Sequence, residues 1–288
     1  MKKFELTSET KINIFGKKLF RIKALISFAD VEAGETGGWV EKEGNVNQSG
    51  DAWVSGNAEV YGNAEVSGNA KVYGNAKVSG NAEVSGNAEV SGDAWVSDNA
   101  KVYGNAKVYG NAKVYGNAKV SGDAWVSGNA EVSGNAKVSG NAWVSGNAWV
   151  SDNAKVYGNT KVSGNAEVSG NAEVSGDAWV SDNAKVYGNA KVYGNAKVYG
   201  NAKVSGDAWV SGDAEVYGNA DYTTIHGFGT QFRTTTFFRC KDKKVRVACG
   251  CFFGTIPEFR EQVKNTRKGK IAEEYLMIAD LMENHFEK

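Results

Sequence analysis

Two groups of side chains in this chain are of types that do chemistry. The first is the run Thr234, Thr235 and Thr236 with Arg239 and Arg246. A hairpin over these residues would bring hydroxyl donors close to guanidinium forks, a mixture able to bind an anion or a nucleotide. The same residues also suit a plain capping hairpin whose arginines stay in water. The second group is Cys240, Cys249 and Cys251, with His226 and His285 as the two histidines of the chain. Read as one strand, Val245, Val247, Cys249 and Cys251 face the same way, which fits burial as small apolar residues. Cys240 and a histidine could complete a zinc site, but the spacing matches no usual ligand pattern, so neither metal nor cofactor is expected. The glycines of "GFGTQF" at 227 to 232 lack the strand-to-helix frame that a phosphate loop needs.

These residues lie beyond a long repeat, and the repeat dictates what can position them. From Val54 to Val216 every sixth residue is valine, and two places earlier alanine recurs from Ala52 to Ala220, interrupted only by Thr160. Each unit reads Gly-Asn/Asp-Ala-x-Val-Ser/Tyr, with Asp98, Asp152 and Asp182 in place of glycine. Alanine and valine share one side of a short extended segment, x and Ser/Tyr the other. The Gly-Asn pair tolerates positive φ and suits a tight corner. One hexad is too small to bury its own valine, so the units must stack, valine on valine, in a continuous core. A disordered linker would not hold valine at 28 successive positions, because only burial penalises its loss. Spacing alone leaves two or three hexads per coil open.

The outward position x holds 13 lysines, 8 glutamates and 7 tryptophans. On an 18-residue coil the lysines spread over three faces, which makes duplex nucleic acid an unsuitable partner. Trp53, Trp125, Trp143 and Trp179 fall on one face, Trp95 and Trp149 on a second, and Trp209 on the third. Exposed indoles mark contact sites, although Trp and Tyr also simply cover neighbouring strands. Residues 77–128 recur identically as 161–212. On an 18-residue coil the offset of 84 is not a whole number of turns, so the copy lands on a different face, as suits scaffold rather than a face-specific site, whereas on a 12-residue coil it is seven full turns and the copy returns to the same face.

The 288 residues carry zero formal net charge and divide into an N-terminal β cap (1–48), the hexad solenoid (49–220) and a C-terminal α+β segment (221–288). "KINIFGKKLFRIKAL" at 11 to 25 predicts a hairpin about Gly16-Lys17-Lys18, and Trp39-Val40 and Val46 predict an irregular first coil. Residues 231–253 read as two strands joined near Lys241 to Lys243. Helices follow near 257–267 and 270–286, the last with Leu276, Ile278, Ala279, Leu281 and Met282 on its apolar side. "MKKFELTSETKINIF" has no apolar run long enough for a signal peptide, and no stretch approaches a membrane span. A cytoplasmic protein is expected, the host cytoplasm if a phage encodes it.

The hexads resemble the hexapeptide-repeat pattern of the "transferase hexapeptide" proteins. That resemblance implies an all-β solenoid, a left-handed parallel β-helix with three hexads per coil, and association as a homotrimer. Many such proteins are acyltransferases with a histidine base and a projecting loop, but the hexads here contain neither. The two ends are similar to uncharacterised hexapeptide-repeat proteins of bacteriophages and prophages. This likeness is carried by Leu19-Phe20-Arg21-Ile22-Lys23-Ala24-Leu25, Gly37-Gly38-Trp39, Thr236-Phe237-Phe238-Arg239 and Cys249-Gly250-Cys251-Phe252. Together these readings point to a non-catalytic scaffold that presents its terminal domain or its aromatic faces to a partner. A phage inhibitor of a host defence protein or signalling nucleotide, and an acyltransferase, are the alternatives.

Overall fold

A computed structural model describes residues 2–287. The chain forms two compact units, Met1–Gly158 and Asn159–Lys288, divided inside the repeat. The repeat is a β-solenoid of about ten turns with parallel sheets, followed by an antiparallel sheet and two helices.

Each hexad contributes a strand of two residues, x and valine, shorter than the four-residue Ala-x-Val-Ser segment the alternation suggests. Strands pair in parallel at an offset of 18, as in Glu89↔Lys107 and Val90↔Val108, which fixes three hexads per coil. The first unit holds the strands Trp53–Val54 through Lys155–Val156, and the second holds Lys161–Val162 through Glu215–Val216. Short hydrogen bonds join successive coils at strand and corner alike: Lys107 N–H to Ala124 O at 2.9 Å, Tyr109 N–H to Val126 O at 3.0 Å, and Asn111 N–H to Gly128 O at 2.8 Å. Inside, the valines from Val54 to Val216 are fully buried. Each contributes about 1.5–3 kcal/mol relative to exposure, before chain entropy is subtracted. Ala220 keeps the sequence period but not the place, for it is exposed in the turn Asn219–Asp221.

The corners explain the Gly-Asn pair. Gly80 sits at φ +68, and a Cβ there would lie 2.8 Å from the backbone N of Asp98 in the next coil. The asparagines that follow the corner glycines form ladders, Asn63 Nδ2 donating to Asn81 Oδ1 at 3.2 Å and Asn81 to Asn99 at 3.0 Å. Asp98 and Asp182, also at positive φ, accept the N–H of Gly116 and of Gly200, both at 3.0 Å. That bond offsets the strain of a side chain at this corner. Outside, several lysines pair with glutamates one coil away, including Lys101 with Glu83 at 2.8 Å and Lys113 with Glu131 at 3.1 Å. Such exposed pairs contribute little stability, but they mix the two signs along a face.

Before the first coil, strands Phe4–Ile12 and Lys18–Ala24 form the expected antiparallel hairpin. The irregular first coil is present too: Trp39 pairs with Glu59 and Val40 with Val60 in parallel, and Val46 bridges Val66. Carbonyls of the opening coil have no coil before them to supply N–H groups, and side chains replace it. The buried Lys3 ammonium donates to Gly50 O at 3.1 Å and Ala52 O at 2.8 Å. Burial holds its pKa below the usual lysine range. Asn45 Nδ2 does the same for Gly62 O and Ala64 O, at 3.2 and 2.8 Å.

In the second unit, strands Tyr222–Phe228, Arg233–Arg239, Val245–Cys249 and Phe252–Thr255 pair antiparallel in that order. The middle two and their turn match the sequence reading, while the outer two went unread. Helix α1 (Ile256–Thr266) starts at a reciprocal cap, Glu258 accepting from Thr255 N–H at 2.7 Å and Thr255 from Glu258 N–H at 3.4 Å. Helix α2 (Gly269–Phe286) buries Tyr275, Ile278, Ala279, Met282 and Phe286. Leu281 does not join them: helical spacing from Ile278 and Met282 turns it to the opposite face, where it is 60% exposed. Among the described residues no helix is long and apolar enough to cross a membrane.

Candidate functional site

The register of the antiparallel sheet decides what the threonines and arginines can do together. Thr236 pairs with Ala248, Phe238 with Arg246, and Arg239 with Val245. Thr234, Thr236 and Arg246 therefore face one side of the sheet, and Thr235 and Arg239 face the other. Each is engaged separately. Thr234 Oγ1 lies 3.0 Å from His226 Nδ1, and Thr235 donates to Cys249 Sγ at 3.1 Å. Thr236 accepts the N–H of Trp209 at 2.9 Å. Arg239 bonds the Phe286 carbonyl at 3.0 Å and pairs with Asp221 at 3.5 Å, and Arg246 pairs with Asp242 at 2.8 Å. The five candidates thus do not converge on one ligand. Thr236 instead acts as a cap, because the last coil has no following strand to accept the Trp209 amide. Asn219 Oδ1 serves Lys203 N–H in the same way at 2.9 Å.

The cysteines also part company. The strand ends at Cys249, Gly250 turns the chain at φ +62, and Cys251 is exposed, so Cys251 does not share the face of Val245, Val247 and Cys249. Among the described residues no three His, Cys, Asp or Glu side chains gather as a metal site. Cys240 is buried, and burial pushes its thiol up to about 11. Since the thiolate is the reactive form, iodoacetamide at pH 8 should label Cys251 first and leave Cys240 unmodified until the protein is denatured. Peptide mass spectrometry reads this directly. Equal labelling of the two in native protein would contradict the burial.

The tryptophans fall into sheets as the 18-residue coil requires. In the first unit Trp53, Trp125 and Trp143 share one sheet, and Trp95 and Trp149 share another. In the second unit Trp179 and Trp209 lie in different sheets. Trp53 is not available as a binding residue: at 4% exposure it is covered by Phe4 and Phe28, whose rings meet it edge-on at 6.2 and 5.4 Å. Trp95 is partly covered by Phe15, the hairpin tip, at 5.6 Å. Trp125 and Trp143 stand free, 38% and 41% exposed, edge to face on consecutive coils at 5.7 Å. Tyr109 extends the row at 6.0 Å. Trp143 Nε1 donates to Ser127 Oγ at 3.3 Å, a bond repeated by Trp179 to Ser163 at 3.2 Å. These two indoles lean back on the preceding coil, which fixes their planes while leaving their outer edges in water.

Sequence reading missed a solvent-open cleft between the four-stranded sheet and the two helices. Its floor includes Phe259, Val263 and Tyr275, and Arg233 and Arg267 stand at its rim. These arginines are 34 residues apart in the chain, so only the packing of the helices on the sheet joins them.

Residues 112–128, 136–152 and 196–212 match the family model described as the YdcK beta solenoid repeat, and the chain is similar to that repeat over these stretches. They comprise 51 of the 288 residues. No curated protein matches the chain.

Proposed function

We propose that this chain is a non-catalytic solenoid scaffold that binds through its aromatic face, and that the occupant is another copy of the chain in a homotrimer. One observation carries this reading: Trp125 and Trp143 meet edge to face on consecutive coils, both exposed, with Trp143 tied back to Ser127. Indoles ordered in advance lose little entropy on binding and make strong anchors at an interface. The sheet around them mixes signs, with Lys107 and Glu89 paired at 3.4 Å, so a like face can approach without net repulsion. The resemblance of the hexads to trimeric hexapeptide-repeat proteins supports the copy as occupant. The likeness of the two ends to phage and prophage proteins supports a phage origin and the host cytoplasm as the compartment.

Light scattering coupled to size exclusion tests this. The wild type should elute with the mass of a trimer, and the double variant Trp125→Lys/Trp143→Lys as a monomer with an unchanged circular dichroism spectrum. A wild type that stays monomeric at high concentration, or a double variant that stays trimeric, overturns self-association through this face. A second reading, a phage inhibitor that captures a signalling nucleotide, is favoured by the cleft arginines. Mass spectrometry of small molecules released from the purified protein tests it.

A further inference from the structure

The second unit contains five arginines. Three are ion-paired: Arg239 with Asp221, Arg246 with Asp242, and Arg260 with Asp280 and Glu283. The other two, Arg233 and Arg267, make no ion pair among the described residues, and both line the same cleft. Arg267 is the residue that caps the C-terminal end of α1. Arg233 opens its strand and lies against the Gly250 turn, where a Cβ at 250 would fall within 2.4 Å of its Nη1. The absence of a side chain at Gly250 lets the guanidinium reach across the turn towards the cleft.

What lies between the two guanidinium groups suits an oxyanion. Gln231 and Gln262 line the rim and can donate hydrogen bonds, and none of the lining residues carries a carboxylate. The Tyr275 hydroxyl beneath donates to Phe228 O at 3.2 Å. Its pKa is raised, first by burial and then by Cys249, while Arg267 and Arg233 pull the other way. The cleft, of about 90 Å³, has room for a phosphate group. The open mouth leaves room for the remainder of an ester to project outward.

We propose that this cleft binds the phosphate group of a phosphomonoester, clamped between Arg233 and Arg267. Two guanidinium forks with no carboxylate among the lining residues match a phosphate dianion in charge and in hydrogen-bonding pattern. The proposal is independent of self-association through the tryptophans, which lie in the other unit.

Isothermal titration of the full chain with inorganic phosphate, adenosine 5′-monophosphate and acetate tests it. Phosphate and the monoester should both bind, acetate more weakly. Arg233→Gln and Arg267→Gln should each weaken phosphate binding by about tenfold, the usual effect of losing a charge-assisted hydrogen bond. Arg233→Lys, which keeps the charge but loses the fork, should also weaken it. Lys264→Gln removes the same unit of charge from exposed α1 and should leave affinity unchanged. Thermal melts of the ligand-free variants confirm that they fold. A monoester that binds more tightly than phosphate adds contacts beyond the clamp, and equal binding confines recognition to the phosphate. No binding of either at about 10 mM, near the limit of measurable weak affinity, overturns the proposal. So does an equal loss in Lys264→Gln.

Discussion

Replacing Gly80 with alanine should destabilise the protein by about 3 kcal/mol, whereas the same change at Gly206 should cost about 1 kcal/mol. The two glycines have nearly the same backbone angle, φ +68 and +66, so both replacements pay the same left-handed strain. They differ in what lies above. A Cβ on Gly80 would approach the N, Cα and O of Asp98 at 2.8 to 2.9 Å, while nothing lies within 4 Å of a Cβ on Gly206. Backbone of the next coil cannot step aside as a flexible side chain can, because it is bonded to the coils on either side. Urea denaturation gives the magnitudes, and amide exchange shows whether the loss centres on the coil of Asp98. Equal costs at the two glycines would mean that φ alone, not the approach of successive coils, selects glycine. Asp98 occupies such a corner in the native protein, but its carboxylate gains the Gly116 N–H, and alanine would have no such return.

Thr236→Val should cost about 1–3 kcal/mol, the range for leaving a buried donor without its acceptor. The side chain is fully buried and valine fills the same space, so the loss isolates the bond to the Trp209 amide at 2.9 Å. Its neighbour provides the control. Thr235 is also buried but donates only to the Cys249 thiol, a weak acceptor, and Thr235→Val should fall below about 1 kcal/mol. Exchange of the Trp209 amide should quicken in the first variant and not in the second. If Thr235→Val proved the costlier change, Thr236 would not be the cap described here.

The repeat was legible in the sequence because one requirement, a buried valine at every sixth position, is local and recurs. The facing of the tryptophans followed once the coil length was 18, and that length came from the hexapeptide resemblance rather than from spacing. What escaped reading depends on contacts between distant segments. Trp53 has the same hexad context as the exposed tryptophans, and nothing nearby announces that Phe4 and Phe28 will cover it. Arg239 and Arg246 look adjacent on a hairpin, yet a register that pairs Arg239 with Val245 sends them to opposite faces. The alternation that grouped Cys251 with Cys249 failed because the strand ends one residue before Gly250. Arg233 and Arg267 carry no local signal at all. Their significance comes from the carboxylates they lack and the three other arginines of the unit do not.

The constant offset of 18 between bonded strands also governs how such a chain can assemble. Each added coil closes a loop of one fixed length, so its entropic toll does not grow as the structure lengthens. The hairpin of residues 4–24 leaves the ribosome before any hexad, with Lys3 already placed to satisfy the carbonyls of the opening coil. Synthesis therefore supplies a template first and its copies afterwards. Growth can proceed layer by layer behind the emerging chain, with only the short strand edges of the newest coil unpaired at any moment.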